Sequence, residues 1–483
     1  MRRFKKFVTL LSITFLLLAT GCKLAQPVVQ HAAVTAPNAF QDETDSIGIA
    51  SLKWRSLFTD PKLSALIDTA LRNNLDLKIA AQRIEMARSG VQFAQGALFP
   101  NVGAEISGGG RKFGDYTMDG VGNYDTNFSE NLNSDRKLPA PFLPDYFVGL
   151  RSSWEIDIWG KLKARKKAAY NRLLATDKAR HAIITGLIAQ VASEYYRLVA
   201  LDNELAIIRK NIVLQESAVE TIKIQKEGGR ANELAVRQFL AQLINTRGLE
   251  VETQQKIIAV ENGLNMLLGR FPQTISRINL TEQTFPQHIS AGIPANMLKR
   301  RPDVRQAQLE LQAFYSEQQS AQLAFLPSLN ITALLGFNSF KSNLLFSPAS
   351  IAYGAAAGLA APLINRKALK ANQKRAEAES QAALYNYNKT ILTGFQEVST
   401  SLKRLENTRK ILGLKANEVE VLQQGVSISK DLFLTGYASY LEVILAQRNV
   451  LDAELTLTEV TRNQFLALIE LYRALGGGWE QDL

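Results

Sequence analysis

The sequence predicts a mixed α and β fold. Three copies of the chain close one twelve-stranded membrane β-barrel, four strands from each, continued by a long α-helical coiled-coil barrel. Three observations predict it. The chain is written twice, each copy carries two alternating segments of strand length, and each carries a long proline-free run with a seven-residue apolar repeat followed by a second helix.

The repetition comes first. Leu71-Arg-Asn-Asn-Leu-Asp76 resembles Leu298-Lys-Arg-Arg-Pro-Asp303, and the same ungapped alignment sets Leu98-Phe-Pro-Asn-Val102 on Phe325-Leu-Pro-Ser-Leu329. A second ungapped stretch pairs Gly229-Arg-Ala-Asn-Glu-Leu234 with Gly436-Tyr-Ala-Ser-Tyr-Leu441, and ends on Leu264-Asn-Met-Leu-Leu-Gly269 against Leu471-Tyr-Arg-Ala-Leu-Gly476. Weak identity held at constant offset through matching punctuation marks a tandem duplication. The first repeat spans 61–275, a linker with Pro286 and Gly292 spans 276–293, and the second repeat spans 294–478.

Each repeat reads helix, strand pair, long helix, long helix. In the second, a helix over 302–326 opens on Pro302, whose missing N–H needs no partner in a first turn, with Asp303 beside it favouring the positive helix end. Asn74 is the matching N-cap candidate in the first repeat. Both helices stop before a proline, Pro100 and Pro327. Period two then sets in, predicting strands over 101–108, 146–158, 328–337 and 351–361. In the second of these, Val148, Leu150, Trp154, Ile156 and Ile158 alternate with Gly149, Arg151, Ser153, Glu155 and Asp157. Strands of ~10 alternating residues suit a membrane barrel, and locally suit a half-buried soluble sheet equally well. Four strands cannot enclose a lumen, since about eight are needed to surround side chains, and open edges invite aggregation; three copies give twelve strands. The long polar loop from Gly108 to Pro144 belongs outside the cell on this reading.

Long helices are predicted over 161–227, 231–268, 365–434 and 439–475. The first of these is a rod of ~100 Å at 1.5 Å per residue. Leu198, Leu205, Ile212 and Val219 recur every seven residues, as do Ile391, Val398, Leu405, Leu412, Val419, Val426 and Phe433, the signature of supercoiled helices. Gly229 and Gly436 mark the hairpin tip turns. Heptads alone also fit a solid bundle or a tether; the connection of these rods to strands favours a hollow wall.

The N-terminus sets the compartment. Arg2, Arg3, Lys5 and Lys6 precede an apolar run from Phe7 to Ala19, too short for a bilayer, which needs ~20 residues, and proportioned like a secretory signal. Leu18-Ala19-Thr20-Gly21-Cys22 then looks like a lipoprotein cleavage site, making 1–21 the signal peptide, Cys22 the lipidated residue, and 22–60 a lipid-anchored segment. Lys23 replaces the aspartate that often retains such lipoproteins in the inner membrane, so outer-membrane lipid is the expected partner. Cys22 is the sole cysteine, which excludes disulfides and thiolate metal sites.

The formal charge of +11 falls to +7 without the four cations of the signal. The remaining cations are spread along amphipathic helices among acids, so no nucleic-acid partner is read from them. His31, His181 and His288 are scattered, and no phosphate loop or titratable cluster appears. No enzyme activity, metal or cofactor is expected.

Several of these stretches together resemble the bacterial outer-membrane efflux protein family, the TolC-like exit ducts. They are Trp154-Glu-Ile-Asp-Ile-Trp-Gly160, Arg300-Arg-Pro-Asp-Val-Arg305, Phe325-Leu-Pro327 and Gly436-Tyr-Ala-Ser-Tyr-Leu-Glu-Val443. With the lipoprotein signal, the resemblance points to the lipid-anchored NodT branch, the outer-membrane lipoproteins of resistance-nodulation-division efflux. It runs from Leu63 to Gly478, and no single motif carries it. It implies a homotrimer in the outer membrane with a long periplasmic portion, acting as a passive exit duct for small toxic compounds or drugs. A periplasmic adaptor (membrane fusion protein) and an inner-membrane pump of resistance-nodulation-division type would be its partners. A duct for type I protein secretion and a non-conducting coiled-coil envelope lipoprotein are the alternatives.

The resemblance also implies a periplasmic gate at the second hairpin. Leu441 matches a ring-forming leucine and Glu442 an acid of a polar latch, while Phe433, Ala438 and Leu445 stand where a tyrosine, an arginine and a second acid occur, and Ala235 replaces another acid. The expectation is an aperture closed by packing and dewetting around Leu441 rather than by salt bridges. Without the resemblance, Leu441 reads as helix packing and Glu442 as a solvated acid.

Overall fold

The computed structural model describes residues 53–139, 142–285, 298–362, 364 and 366–479. Cys22 and the signal lie outside the described residues, as do Pro286 and Gly292 of the linker. The helices are α1 (Trp54–Leu57), α2 (Pro61–Asn73), α3 (Leu75–Gly96), α4 (Met118–Phe128), α5 (Lys161–Glu227), α6 (Glu233–Leu267), α7 (Pro302–Leu323), α8 (Arg366–Thr435) and α9 (Tyr440–Ala474). The strands are β1 (Asn101–Arg111), β2 (Leu143–Ile156), β3 (Ser328–Ser339) and β4 (Ile351–Ala360).

The chain divides into two compact units. One, built from residues 86–173 and 310–383, holds the sheet. Its strands run in the order β1-β2-β3-β4, all antiparallel, so β1 and β4 are its two edges. Register aligns Ile106, Val148, Phe337 and Ile351 across all four strands, and Ala104, Leu150, Leu335 and Tyr353 beside them. Since paired residues share a face, these rows make one face mainly apolar, interrupted by Ser152 and Ser339, while the other is mostly small or polar but also carries Phe147 and Leu334. The apolar face is bare in the single chain, with Ile106 83% and Tyr353 81% exposed.

Five strand bounds differ from the sequence reading, among them the ends of β3, at Ser339, and of β4, at Ala360. β1 runs on to Arg111, its last residues Gly109, Gly110 and Arg111 pairing with Asp145, Pro144 and Leu143, so glycine there does not end the strand. β2 accordingly starts at Leu143 and stops at Ile156. Asp157 leaves the alternation because its carboxylate caps α5, accepting from the Leu162 N–H at 3.0 Å and the Lys163 N–H at 2.8 Å. Ile158 falls outside the strand with it. The long loop carries helix α4, capped by Thr117, whose hydroxyl accepts from the Gly120 N–H at 3.1 Å.

The other unit, from residues 53–85, 174–309 and 384–479 among those described, is helical. Its main core joins Trp54, Leu63 and Ile67 of α1 and α2 to Tyr195 and Leu198 of α5, Leu264 of α6, Val398 of α8 and Phe465 of α9. The heptad residues Leu198, Ile212, Val219, Ile391, Val398 and Val419 are all buried. The segment before residue 61, read as anchor alone, thus contributes Trp54, Leu57 and Phe58 to this core. The alternation rules used on the sequence miss α1 because four residues are too few to show a period.

Asp60 fixes that segment. One carboxylate oxygen accepts the Lys62 N–H at 2.7 Å, capping α2, and the other accepts Gln283 Nε2 at 2.9 Å and the Tyr195 hydroxyl. Burial and this hydrogen bond push the Tyr195 phenol far above its ordinary pKa, so it remains a donor. The linker's first residues are also tied down. Arg277 donates to Glu261 at 2.5 Å, to Asp202 at 2.7 Å and to the Ile275 carbonyl at 2.7 Å.

Candidate functional site

The two hairpin tips are built alike. At the first, Gly229 adopts φ +73°, the Arg230 N–H donates to the Gln225 carbonyl at 2.8 Å, and the Gly229 N–H to Lys226 at 3.0 Å. At the second, Gly436 adopts φ +83°, the Tyr437 N–H donates to Leu432 at 2.8 Å, and the Gly436 N–H to Phe433 at 3.2 Å. This paired pattern closes a helix with a left-handed residue, which glycine adopts without a Cβ clash. Asn232 then caps α6 through the Ala235 N–H at 2.9 Å, and Ser439 caps α9.

The four residues expected at the second tip separate into three environments. Leu441 and Leu445, one helical turn apart on α9, are 48% and 47% exposed and form one apolar stripe. Phe433 turns inward onto a cluster that includes Ile222, Phe239 and Ile444. Glu442 turns back on its own helix start, its carboxylate accepting the Ser439 N–H at 2.5 Å. Ala235 is fully buried in the same cluster, where an unpaired acid would be costly. At the first tip the charges are paired: Glu233 meets Lys226 at 2.5 Å and Arg237 at 2.7 Å, and these two cations hold its carboxyl below the usual range.

Far from the tips along the sequence, the polar face of the sheet has its own construction. Phe147 is 5% exposed although it lies on that face. Its ring covers Gly149 and Gly336, directly paired across β2 and β3; a Cβ on either would come within 2.8 and 3.1 Å of the ring's Cζ. Arg151 caps the ring at 4.9 Å and pairs with Glu105 at 2.5 Å. Alternation counts Gly149 and Arg151 as merely polar. The signal that could have found this cluster is the glycine pair itself, since interior strand glycines mark close approach.

The duplication also has a geometric signature. Asn74 Nδ2 donates to the Leu267 carbonyl at 3.0 Å, and Arg301 Nη1 donates to the Ala474 carbonyl at 2.8 Å. Asn74 additionally caps α3 through the Leu77 N–H at 3.1 Å, while Arg301 pairs with Asp303 and Glu397 at 2.6 and 2.7 Å. The two residues are partners in the ungapped alignment, so each repeat ties its first helix to the end of its last. Gly269 and Gly476, also aligned, both take positive φ, where a Cβ would meet Asn73 O at 2.6 Å and Arg301 N at 2.8 Å.

Comparison with known proteins gives the following. The family model for outer membrane efflux protein matches residues 66–270 and 293–477. The chain is 27% identical over 476 residues to a probable outer membrane lipoprotein, SilC, of Salmonella typhimurium, covering 97% of this chain and 98% of that protein. It is 28% identical over 472 residues to the solvent efflux pump outer membrane protein SrpC of Pseudomonas putida, covering 96% and 97%. Among solved structures, it resembles CusC, described in terms of folding and transmembrane channel formation, at 25% identity and a TM-score of 0.79, covering 94% of this chain and 99% of that one.

Proposed function

We propose, from the premise that the chain belongs to the outer membrane efflux protein family, that it is the outer-membrane channel of a tripartite efflux pump. Its fold is that of the family's trimeric channels, with four strands in each chain. The observation that carries the proposal is the open sheet. One face carries the exposed Ile106, Leu150, Leu335 and Tyr353, the other carries Glu105 and Arg151, and each edge strand has a free side. Three copies joined β4 to β1 close twelve strands, turn the apolar face to lipid and leave a polar lumen. Among the described residues no helix is long and apolar enough to cross a membrane.

The duct is passive, and its cargo is small toxic compounds or drugs; the solvent efflux pump named for one relative supports this class. A periplasmic adaptor and an inner-membrane pump of resistance-nodulation-division type supply the energy and the choice of substrate. Cys22, outside the described residues, carries the lipid, a reading supported by the lipoprotein name of another relative. The gate lies at the second tip, with Leu441 and Leu445 of three chains meeting around the axis. Glu442 holds the turn rather than a latch, since its carboxylate is committed to Ser439.

Accumulation of a fluorescent dye in cells tests the function. Deleting the gene is expected to raise dye retention several-fold, and the wild-type chain to restore it. Unchanged retention across a panel of dyes and solvents would leave protein secretion as the better reading.

A further inference from the structure

Within the helical unit, five chain segments surround a cleft of about 450 Å³. They are α1, α2, the start of α3, α5, and the stretch after α9. Its polar lining is lopsided: Arg55, Arg72, Lys78 and Arg180 against one acid, Asp68. Asp68 is already taken by Arg55, two hydrogen bonds at 2.6 and 3.0 Å joining the guanidinium to both carboxylate oxygens. Arg72 gives only its Nε, to the Asp68 carbonyl at 3.3 Å, which leaves its terminal nitrogens for something else. Among the described residues no carboxylate pairs with Arg72, Lys78 or Arg180.

Two largely buried arginines of this unit are treated differently. Arg277 carries Asp202 and Glu261, and Arg301 carries Asp303 and Glu397. Arg72, Lys78 and Arg180 face one cleft whose single described acid, Asp68, is engaged by Arg55; they repel one another, and a bound anion removes that cost. The rest of the lining is mostly apolar. Trp479 is fixed by its indole N–H, which donates to the Arg300 carbonyl at 2.9 Å, and by the His181 ring stacked 4.7 Å away. Leu71, Leu77 and Ile184 complete it.

We infer that this cleft is a binding site for a small polyanion carrying two or more carboxylate or phosphate groups. Guanidinium forks take such groups in paired hydrogen bonds, and the cleft has room for a ligand larger than a single oxyanion. The ligand's charged groups lie on Arg72, Lys78 and Arg180, and its carbon skeleton lies against Trp479. This site does not rest on the channel reading, because occupancy is measured on the purified chain without any transport.

Calorimetric titration of the full chain in detergent, at low salt, with citrate and separately with pyrophosphate tests it. The expected result is one site per chain, weakened by added salt. Lys78→Gln and Arg180→Gln each weaken binding about tenfold, the size of one lost charge-assisted contact. Lys62→Gln, an exposed lysine on α2 that does not line the cleft, leaves it unchanged. Circular dichroism of each variant verifies folding, which the partly exposed positions of Lys78 and Arg180 favour. Citrate binding alone assigns a carboxylate ligand, pyrophosphate alone a phosphate, and both a site selecting on charge. Absence of saturable binding by either probe overturns the inference, and so does an equal loss in the Lys62→Gln control.

Discussion

Leu441 and Glu442 are neighbours in sequence with opposite commitments. The leucine is half exposed on α9, and the acid is folded back onto the Ser439 N–H. An aperture made by such leucines closes by excluding water, so shortening them should open it. Leu441→Ala is therefore expected to raise single-channel conductance and open time, whereas Glu442→Gln should change little beyond the stability of the turn. No change in conductance for Leu441→Ala would place the constriction elsewhere. A second residue makes a prediction of stability. Gln215 is 2% exposed and both its amide atoms lack a hydrogen-bond partner. Replacing an unpaired buried amide by an apolar group of similar shape removes its desolvation cost, ~1–3 kcal/mol. Gln215→Leu should thus raise the thermal midpoint, and a lowered midpoint would show that the amide is paired in solution.

At the scale of elements, the helices and strands were largely legible in the sequence, because heptads and alternation run for many periods. The long helices differ from their expected bounds by a residue or two at most ends, the ordinary fraying of helix termini. What the sequence hid was short or non-periodic. Helix α1 has four residues, α4 sits in a loop rich in Gly and Asn, and Phe147 turns a polar face inward onto two glycines. The site was half legible. The positive-φ glycines Gly229 and Gly436 were readable as tip turns, and the seven-residue repeat through Val398 and Val419 carried the inward side of Phe433, but no repeat marked Leu441 as outward. The first tip supplies a test of its own. Glu233 joins the end of α5 to the start of α6 through Lys226 and Arg237, and its pKa is depressed in the folded chain. A depressed carboxylate stabilises above its unfolded pKa, and that contribution is lost as pH falls through the folded value. Hydrogen exchange across residues 225–238 should therefore be faster in Glu233→Gln than in wild type at pH 7. The difference should disappear as the pH drops below the carboxylate range, and a gap that persists there would assign the protection to another contact.

For the whole molecule, the duplication explains how one chain supplies two similar hairpins and two strand pairs. Asn74 and Arg301 tie each repeat's first helix to the end of its last, by different chemistry at the same aligned position. Four strands with two free edges form an incomplete wall, and three such sheets close it. The most direct measurement is the current through planar bilayers containing the purified full chain, wild type and Leu441→Ala side by side. A trimeric duct constricted at the second tip gives discrete unitary steps from an aqueous pore, infrequent in wild type and larger or longer in the variant. Folded, membrane-inserted protein that carries no current in either form would contradict it.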